Sequence, residues 1–109
     1  QYKKGDYSSA FEFFTKAAAL GHVDAHAELA DLYRNGRGVE QDEKKEMYHL
    51  EVAAIGGHHK ARHNLGVHEW KNCRYERAVK HWIIAATQGL NISINSLMSA
   101  FKSGMMSKD

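Results

Sequence analysis

The feature that most constrains the fold of this chain is a short segment, rich in alanine and glycine, that occurs three times. It is AAALGH at residues 17–22, AAIGGH at residues 53–58 and AATQGL at residues 85–90. The second alanines of these segments, Ala18, Ala54 and Ala86, are separated by 36 and then 32 residues. A repeat of this length indicates paired helices that each bury a face against the next pair, as in a helical solenoid.

Around these segments, small and apolar residues recur at aligned positions. On the first helix of each pair the aligned sets are Ala25, Ala61 and Ser93, then Leu29, Leu65 and Leu97. On the second helix they are Ala10, Glu46 and Ala78, then Phe14, Leu50 and Trp82, then Ala17, Ala53 and Ala85. Residues four apart lie on one face of an α-helix, so these sets predict the buried faces.

The spacing predicts about six helices and no strands, which is an all-α fold. We expect helices at residues 7–20, 24–34, 43–55, 59–71, 75–88 and 92–102. Asp6 and Asp42 are expected to cap helix N-termini. Gly21, Gly57 and Gly89 are expected to end helices in the left-handed conformation.

We predict a single repeat domain over residues 1–109, cut from a longer array. Its units are at about residues 1–22, 23–58 and 59–90, with a partial unit at 91–109. The last residues, SGMMSKD, stand where a further loop and helix are expected. Because neither end carries a polar capping element, we expect the fragment to self-associate through its ends or to fray there.

Composition and charge narrow the functional classes. Residues 1–54 carry a net charge of −3 and residues 55–109 a net charge of +5, without the dense basic stripe of a nucleic-acid-binding protein. No apolar run approaches the length of about 20 residues that spans a bilayer, so we predict no direct membrane contact. The single cysteine, Cys73, favours a reducing compartment such as the cytoplasm, although the compartment stays open.

The segment from Ala18 to Tyr48 resembles the Sel-one-like repeat (SLR), a subclass of the tetratricopeptide superfamily. The family pattern is met by Ala17, Ala18, Gly21, Ala25, Leu29, Ala30, Leu32, Tyr33, Gly36, Gly38, Val39 and Asp42. The second unit departs from it, because Glu69 and Trp70 replace the Leu-Tyr pair and the GxGV loop is missing. The resemblance implies a right-handed superhelical solenoid of antiparallel helix pairs.

The resemblance also implies a function, since relatives act as scaffolds or adaptors, including in ubiquitin-ligase complexes of the endoplasmic reticulum and in bacterial signalling. Their concave groove is lined by the first helix of each pair. Transferred to this chain, the partner-binding residues are Asp24, Asp31, Arg34, Lys60, His63, Val67, Trp70, Ile92, Asn95, Ser99 and Lys102. We expect a protein or peptide partner, and an extended peptide best suits this mixed surface.

Two alternatives stay open: a purely structural spacer between domains, and a secreted repeat protein with penicillin-binding or hydrolase activity. The second arises because Ser99 and Lys102 have the spacing of a serine nucleophile and its lysine. The companion motifs are absent, so we predict no enzyme and no catalytic residues. Trp70 is either a displaced core residue or an exposed aromatic anchor.

Histidine spacing raises the question of a metal site. His22 and His26, and also His59 and His63, are four residues apart, which places each pair on one helix face. No HExxH motif and no cysteine partner accompany them. We therefore predict no metal site and no cofactor.

Overall fold

The computed structural model describes the backbone of residues 4–104 and the side chains of residues 6–104, where all regular structure is α-helical. The helices are α1 (Lys4–Ala19), α2 (Val23–Asn35), α3 (Glu43–Ile55), α4 (His59–Lys71), α5 (Tyr75–Thr87) and α6 (Asn91–Lys102). The predicted bounds of α2 to α6 agree within one residue. Residues 105–109, where a further loop was expected, lie outside the described residues.

The start of α1 differs from the prediction. The helix begins at Lys4, so Asp6 lies in its first turn and does not precede it as a cap. An acidic side chain in the first turn still interacts favourably with the positive end of the helix dipole. The prediction that Asp6 caps α1 was therefore wrong, because Asp6 is part of the helix.

The chain divides into two compact units between His58 and His59. Unit 1 contains α1, α2 and α3, with α2 packed against both of the others. Unit 2 contains α4, α5 and α6, with α5 packed against both of the others. Among the described residues, no helix is both long and apolar enough to cross a bilayer.

The aligned small and apolar positions form the cores of the two units. In unit 1 the buried members are Ala10, Ala25, Leu29, Leu50 and Ala53, together with Glu46. In unit 2 they are Ala61, Leu65, Ala78, Trp82 and Ala85, together with Ser93. Phe14, Ala17 and Leu97 are only partly buried. The predicted buried faces are thus confirmed, and burial of these apolar side chains is the main stabilising contribution to each unit.

Helix ends explain why the repeated segment needs its glycine. The backbone is left-handed at Gly21, Gly57 and Gly89, with φ angles of 90°, 97° and 92°. After α4 the same position is held by Cys73 with φ of 62°. There the N–H of Arg74 donates to the carbonyl of Glu69 at 2.8 Å, which closes the helix. The predicted left-handed ends are confirmed, and the shortened turn uses a cysteine in the same conformation.

The loop between α2 and α3 is fixed at both of its ends. Gly38 has φ of 74°, and a Cβ there would clash with the backbone carbonyl of Tyr7 in α1. At the other end the side chain of Asp42 accepts a hydrogen bond from the N–H of Lys45 at 3.1 Å, so the predicted cap of α3 is confirmed. This loop therefore ties α1 to the α2–α3 pair.

In unit 2 the packing of α5 against α4 depends on a glycine inside α4. A Cβ at Gly66 would overlap the buried indole of Trp82 in α5. The same indole donates its Nε1–H to the backbone carbonyl of His63 at 3.1 Å. Gly66 therefore allows α5 to place the large side chain of Trp82 directly against the α4 backbone.

Candidate partner-binding site

Unit 2 contains an open cleft, which we call the tryptophan pocket. It encloses about 400 Å³ and is lined by Trp70, Trp82, Ile92, Asn95, Ser96, Ser99, Ala100 and Ser103. Trp70 and Trp82 come from α4 and α5, and the other residues come from α6 or directly follow it. Trp70, Ile92, Asn95 and Ser99 are residues for which the sequence predicted a partner-binding role.

Trp70 packs against the core and is also partly accessible. Its ring contacts Tyr75 edge-on, with 4.6 Å between the ring centroids, and lies 5.4 Å from the ring of Trp82. It packs against the buried cluster of Ala78, Trp82 and Ala100, and it also lines the tryptophan pocket. Trp70 is therefore held in place by the core while part of its surface stays accessible.

The α6 side of the pocket is polar and accessible. Ile92 is 53% exposed, and Asn95 and Ser99 are exposed as well. The hydroxyl of Ser103 donates to the carbonyl of Ala100 at 2.9 Å. By contrast, within residues 6–104 the side chains of Asn95, Ser96 and Ser99 have no hydrogen-bond partner. The pocket thus has an apolar floor and a polar rim whose hydrogen-bonding groups are not used by the fold.

His63 was expected to face a partner, and the structure corrects this expectation. The side chain is buried, and its Nδ1 lies 2.7 Å from the hydroxyl of Ser93. The imidazole also stacks on Trp82 at 5.9 Å, and burial lowers the pKa of His63 below its usual value. A polar residue, Ser93, in the otherwise apolar set of Ala25 and Ala61 was the sequence signal for this buried hydrogen bond.

The predicted residues of unit 1 form a charged surface on α2. Arg34 forms an ion pair with Asp31, with 2.7 Å between Nη2 and Oδ1, and both side chains are about half exposed. Asp24 is exposed, and its carboxylate lies 3.7 Å from Nε2 of His58. The structure places these residues in unit 1 and the other predicted residues in unit 2, where Lys60 and Lys102 are exposed and Val67 is partly buried. One groove shared by all of them stays a prediction.

The histidines that the structure brings together are not the pairs suggested by spacing. Nδ1 of His26 lies 2.9 Å from Nδ1 of His49, and the His49 ring stacks on Tyr33 at 5.7 Å. Burial, together with the smaller contributions of the His26 and Lys45 charges, lowers the pKa of His49 to about 4. Among the described residues, no three His, Cys, Asp or Glu side chains are grouped as metal ligands.

Comparison with solved structures shows the same fold in longer proteins. The chain superposes with a TM-score of 0.86 and 26% identity on c5321, a protective antigen of uropathogenic Escherichia coli strains with an SLR fold. It superposes with a TM-score of 0.75 and 25% identity on a Sel1 repeat protein from Oxalobacter formigenes. The two matches cover 90% and 86% of this chain. They cover only 22% and 40% of the two longer chains.

Sequence comparison agrees with the structural one. A comparison with curated protein sequences gives no match. The Sel1 repeat family profile matches residues 1–22, 23–58 and 71–90, which is well over half of the chain. The six helices and the SLR fold of the similar structures confirm the predicted all-α repeat architecture within residues 4–104. The chain therefore belongs to the Sel1 repeat family.

Proposed function

We propose that this chain is a protein-interaction module that holds an extended segment of a protein partner against the first helices of unit 2, α4 and α6. Sel1 repeats generally mediate protein–protein interactions. The proposal goes further, because it assigns the contact to α4 and α6 and to a peptide-like segment. An extended segment offers the regularly spaced backbone groups and side chains that a helix face can bind.

The observation that carries the proposal is the tryptophan pocket. Two indole rings form its floor, while Asn95 and Ser99 keep hydrogen-bonding groups available at its rim. Tryptophan is enriched among residues that dominate binding energy, and pockets of this kind are typical of recognition sites. The alternative of a purely structural spacer gives no role to an open apolar cleft of this kind.

Selection from a phage-displayed library of random peptides, with the full chain as bait, tests the proposal. Enriched peptides are synthesised, and their affinities and association rates are measured by calorimetry and stopped flow. Lys60→Glu and Lys102→Glu on the first helices should slow the association of acidic peptides and reduce its salt dependence, because exposed charges act mainly by steering. Glu12→Lys and Lys80→Glu on the second helices are the charge-reversal controls.

Trp70→Ala should weaken peptide binding by about 2 kcal/mol or more, as expected for an aromatic hot spot. Because Trp70 also contacts Trp82 and Tyr75, unfolding of the variant has to be measured in parallel. If the second-helix variants abolish binding and the first-helix variants do not, the interface lies on the second helices and the proposal is wrong.

A further inference from the structure

We infer that the tryptophan pocket takes one large apolar side chain from an acidic segment of a protein partner. The inference rests on the proposed function and adds the chemistry of the bound segment. It commits to a peptide segment and not to a free small molecule. The floor of the pocket, its rim and the charge of unit 2 carry the argument separately.

The floor of the pocket selects an apolar side chain. Trp70, Trp82 and Ala100 present two indole rings and a methyl group, without a charged group among the lining residues. The volume of about 400 Å³ lies at the lower end of the range of roughly 300–1,000 Å³ found for ligand pockets. Aromatic rings pack favourably against other aromatic and large aliphatic groups. One phenylalanine, leucine or methionine side chain fits here together with the main chain that flanks it.

The rim favours a segment of main chain over an isolated small molecule. The pocket extends along α6 from Ile92 to Ser103, a distance of roughly 16 Å at the rise of an α-helix. An extended chain of about five residues covers this distance. Asn95, Ser96 and Ser99 lie along it with side-chain groups that no described residue binds. An extended backbone supplies a donor and an acceptor at each residue to meet them.

The charge of unit 2 favours acidic residues beside the apolar anchor. Its described part, residues 59–104, carries seven Lys or Arg and two Glu. Of the two glutamates, Glu69 already forms an ion pair with Arg74, with 3.3 Å between Oε1 and Nη1. Lys71 directly follows Trp70, and Lys102 lies three residues after Ser99 on α6, and both lysines are exposed. The positive charge of unit 2 attracts acidic side chains and disfavours basic ones.

The test uses the full chain labelled with ¹⁵N and a blocked pentapeptide with a central Phe flanked by Asp and Glu. The chain has only two tryptophans, and both line the pocket, so its two indole N–H signals report on this part of unit 2. We expect both signals to shift on titration. Replacing the central Phe with Ala should weaken binding at least tenfold, and replacing the flanking residues with Lys at least fivefold at low salt.

Matched variants locate the bound peptide. Ser99→Phe places a ring in the pocket and should weaken binding at least tenfold. Met98→Phe, on the preceding residue, should not weaken binding, because Met98 is exposed and does not line the pocket. Lys102→Glu should weaken binding at least threefold, with Lys80→Glu as its control. The amide spectrum of each variant shows that the fold is retained.

Four results, the last of them with library peptides, would overturn the inference. The first is that no pentapeptide shifts the indole signals. The second is equal loss of binding in Ser99→Phe and Met98→Phe. The third is that N-acetyl-phenylalaninamide binds as tightly as the acidic pentapeptide, which would make the pocket a small-molecule site. If library peptides bind the chain and Ser99→Phe leaves them unaffected, the proposed function stands and this inference fails.

Discussion

The two units place a pair of polar side chains at corresponding positions, but they use different residues. In unit 1 the pair is His26 and His49, with 2.9 Å between the two Nδ1 atoms. Shifting these positions by 36 and 32 residues gives Arg62 and His81 in unit 2, where Nη1 of Arg62 lies 3.5 Å from Nδ1 of His81. One repeat therefore partners an imidazole with a second imidazole, and the other partners it with a guanidinium.

This difference changes which group donates the hydrogen bond. Two facing Nδ1 atoms can share one proton, so the contact between His26 and His49 requires that at least one of the rings stays neutral. An arginine remains charged at any pH a folded protein experiences, so the donor in the Arg62 contact does not change. The two contacts thus differ in their donor, which is one of two titratable rings in unit 1 and a permanently charged guanidinium in unit 2.

A second difference concerns how the units fill their cores. The positions of Ala30 and Leu50 in unit 1 correspond to Gly66 and Trp82 in unit 2. Unit 2 has the larger side chain on its second helix and the smaller one on its first helix, so the missing methyl group at Gly66 offsets part of the added volume of Trp82. The units therefore show two solutions to the same packing problem.

The largest expected effect on stability comes from replacing Gly66 and Trp82 with the residues found at the corresponding positions of unit 1. Trp82→Leu should cost about 2–3 kcal/mol of unfolding free energy through lost burial and a cavity. Gly66→Ala should cost about 1–3 kcal/mol, because its Cβ overlaps the indole. The double variant, which copies unit 1, should be less destabilised than the sum of the two. Denaturant unfolding in a double-mutant cycle measures this coupling, and additive costs would show that Gly66 and Trp82 do not compensate each other.

Ser93→Ala should have the next largest effect on stability. It should lower the unfolding free energy by about 1–2 kcal/mol, because it leaves the buried Nδ1 of His63 without its hydrogen bond. Alanine occupies the aligned positions Ala25 and Ala61, so the loss reports the hydrogen bond and not a steric misfit. Ser96→Ala, at a partly buried serine with no bond to the described residues, is the matched control and should change stability by less than about 0.5 kcal/mol. Equal effects would contradict a stabilising His63–Ser93 bond.

The titratable contact of unit 1 predicts a dependence on pH. His49 has a pKa of about 4 in the fold, against 6.5 for an ordinary histidine, so the unfolded chain binds the proton more readily. Stability should therefore fall as the pH drops from about 6.5 to about 4, by roughly 1 kcal/mol after solvent screening of this partly exposed site. The loss should be smaller in His49→Gln and unchanged in His22→Gln. NMR titration of the His49 ring checks the pKa directly.

The smallest expected effect concerns the start of the second helices. Asp42 caps α3 through its side chain, whereas the equivalent Arg74 makes no side-chain cap bond at α5. Arg74→Ser should stabilise the chain by about 0.5 kcal/mol, since a serine cap contributes about 1 kcal/mol and the exposed bond to Glu69 less than that. Thermal unfolding measures the gain, with Asp42→Ala as the reciprocal loss. A lower melting temperature for Arg74→Ser would show that the ion pair matters more than the cap.

Local sequence signals predicted most of the fold. Gly57 and Asp42 mark a helix end and a helix start because their backbone roles depend on neighbouring residues alone. The aligned sets also predicted which faces are buried. They did so because helix periodicity depends on one element at a time.

The pairings across helices could not be predicted in the same way. His26 and His49 are 23 residues apart, and His63 and Ser93 are 30 apart, so their contacts depend on how separate helices pack. Spacing of four residues suggested other histidine pairs because it considers one helix only. The tryptophan pocket was anticipated in part, through Trp70 and the α6 residues, whereas Trp82 was assigned only to the core although it also forms the floor.

The placement of both tryptophans in unit 2 gives the chain a built-in optical label. Tryptophan emission follows the surroundings of Trp70 and Trp82 alone, whereas far-ultraviolet circular dichroism averages over the helices of both units. In a repeat protein, the free energy that couples neighbouring units decides whether they unfold in one step. Coincident emission and dichroism transitions would indicate strong coupling, and a separation between them would measure how far each unit melts independently.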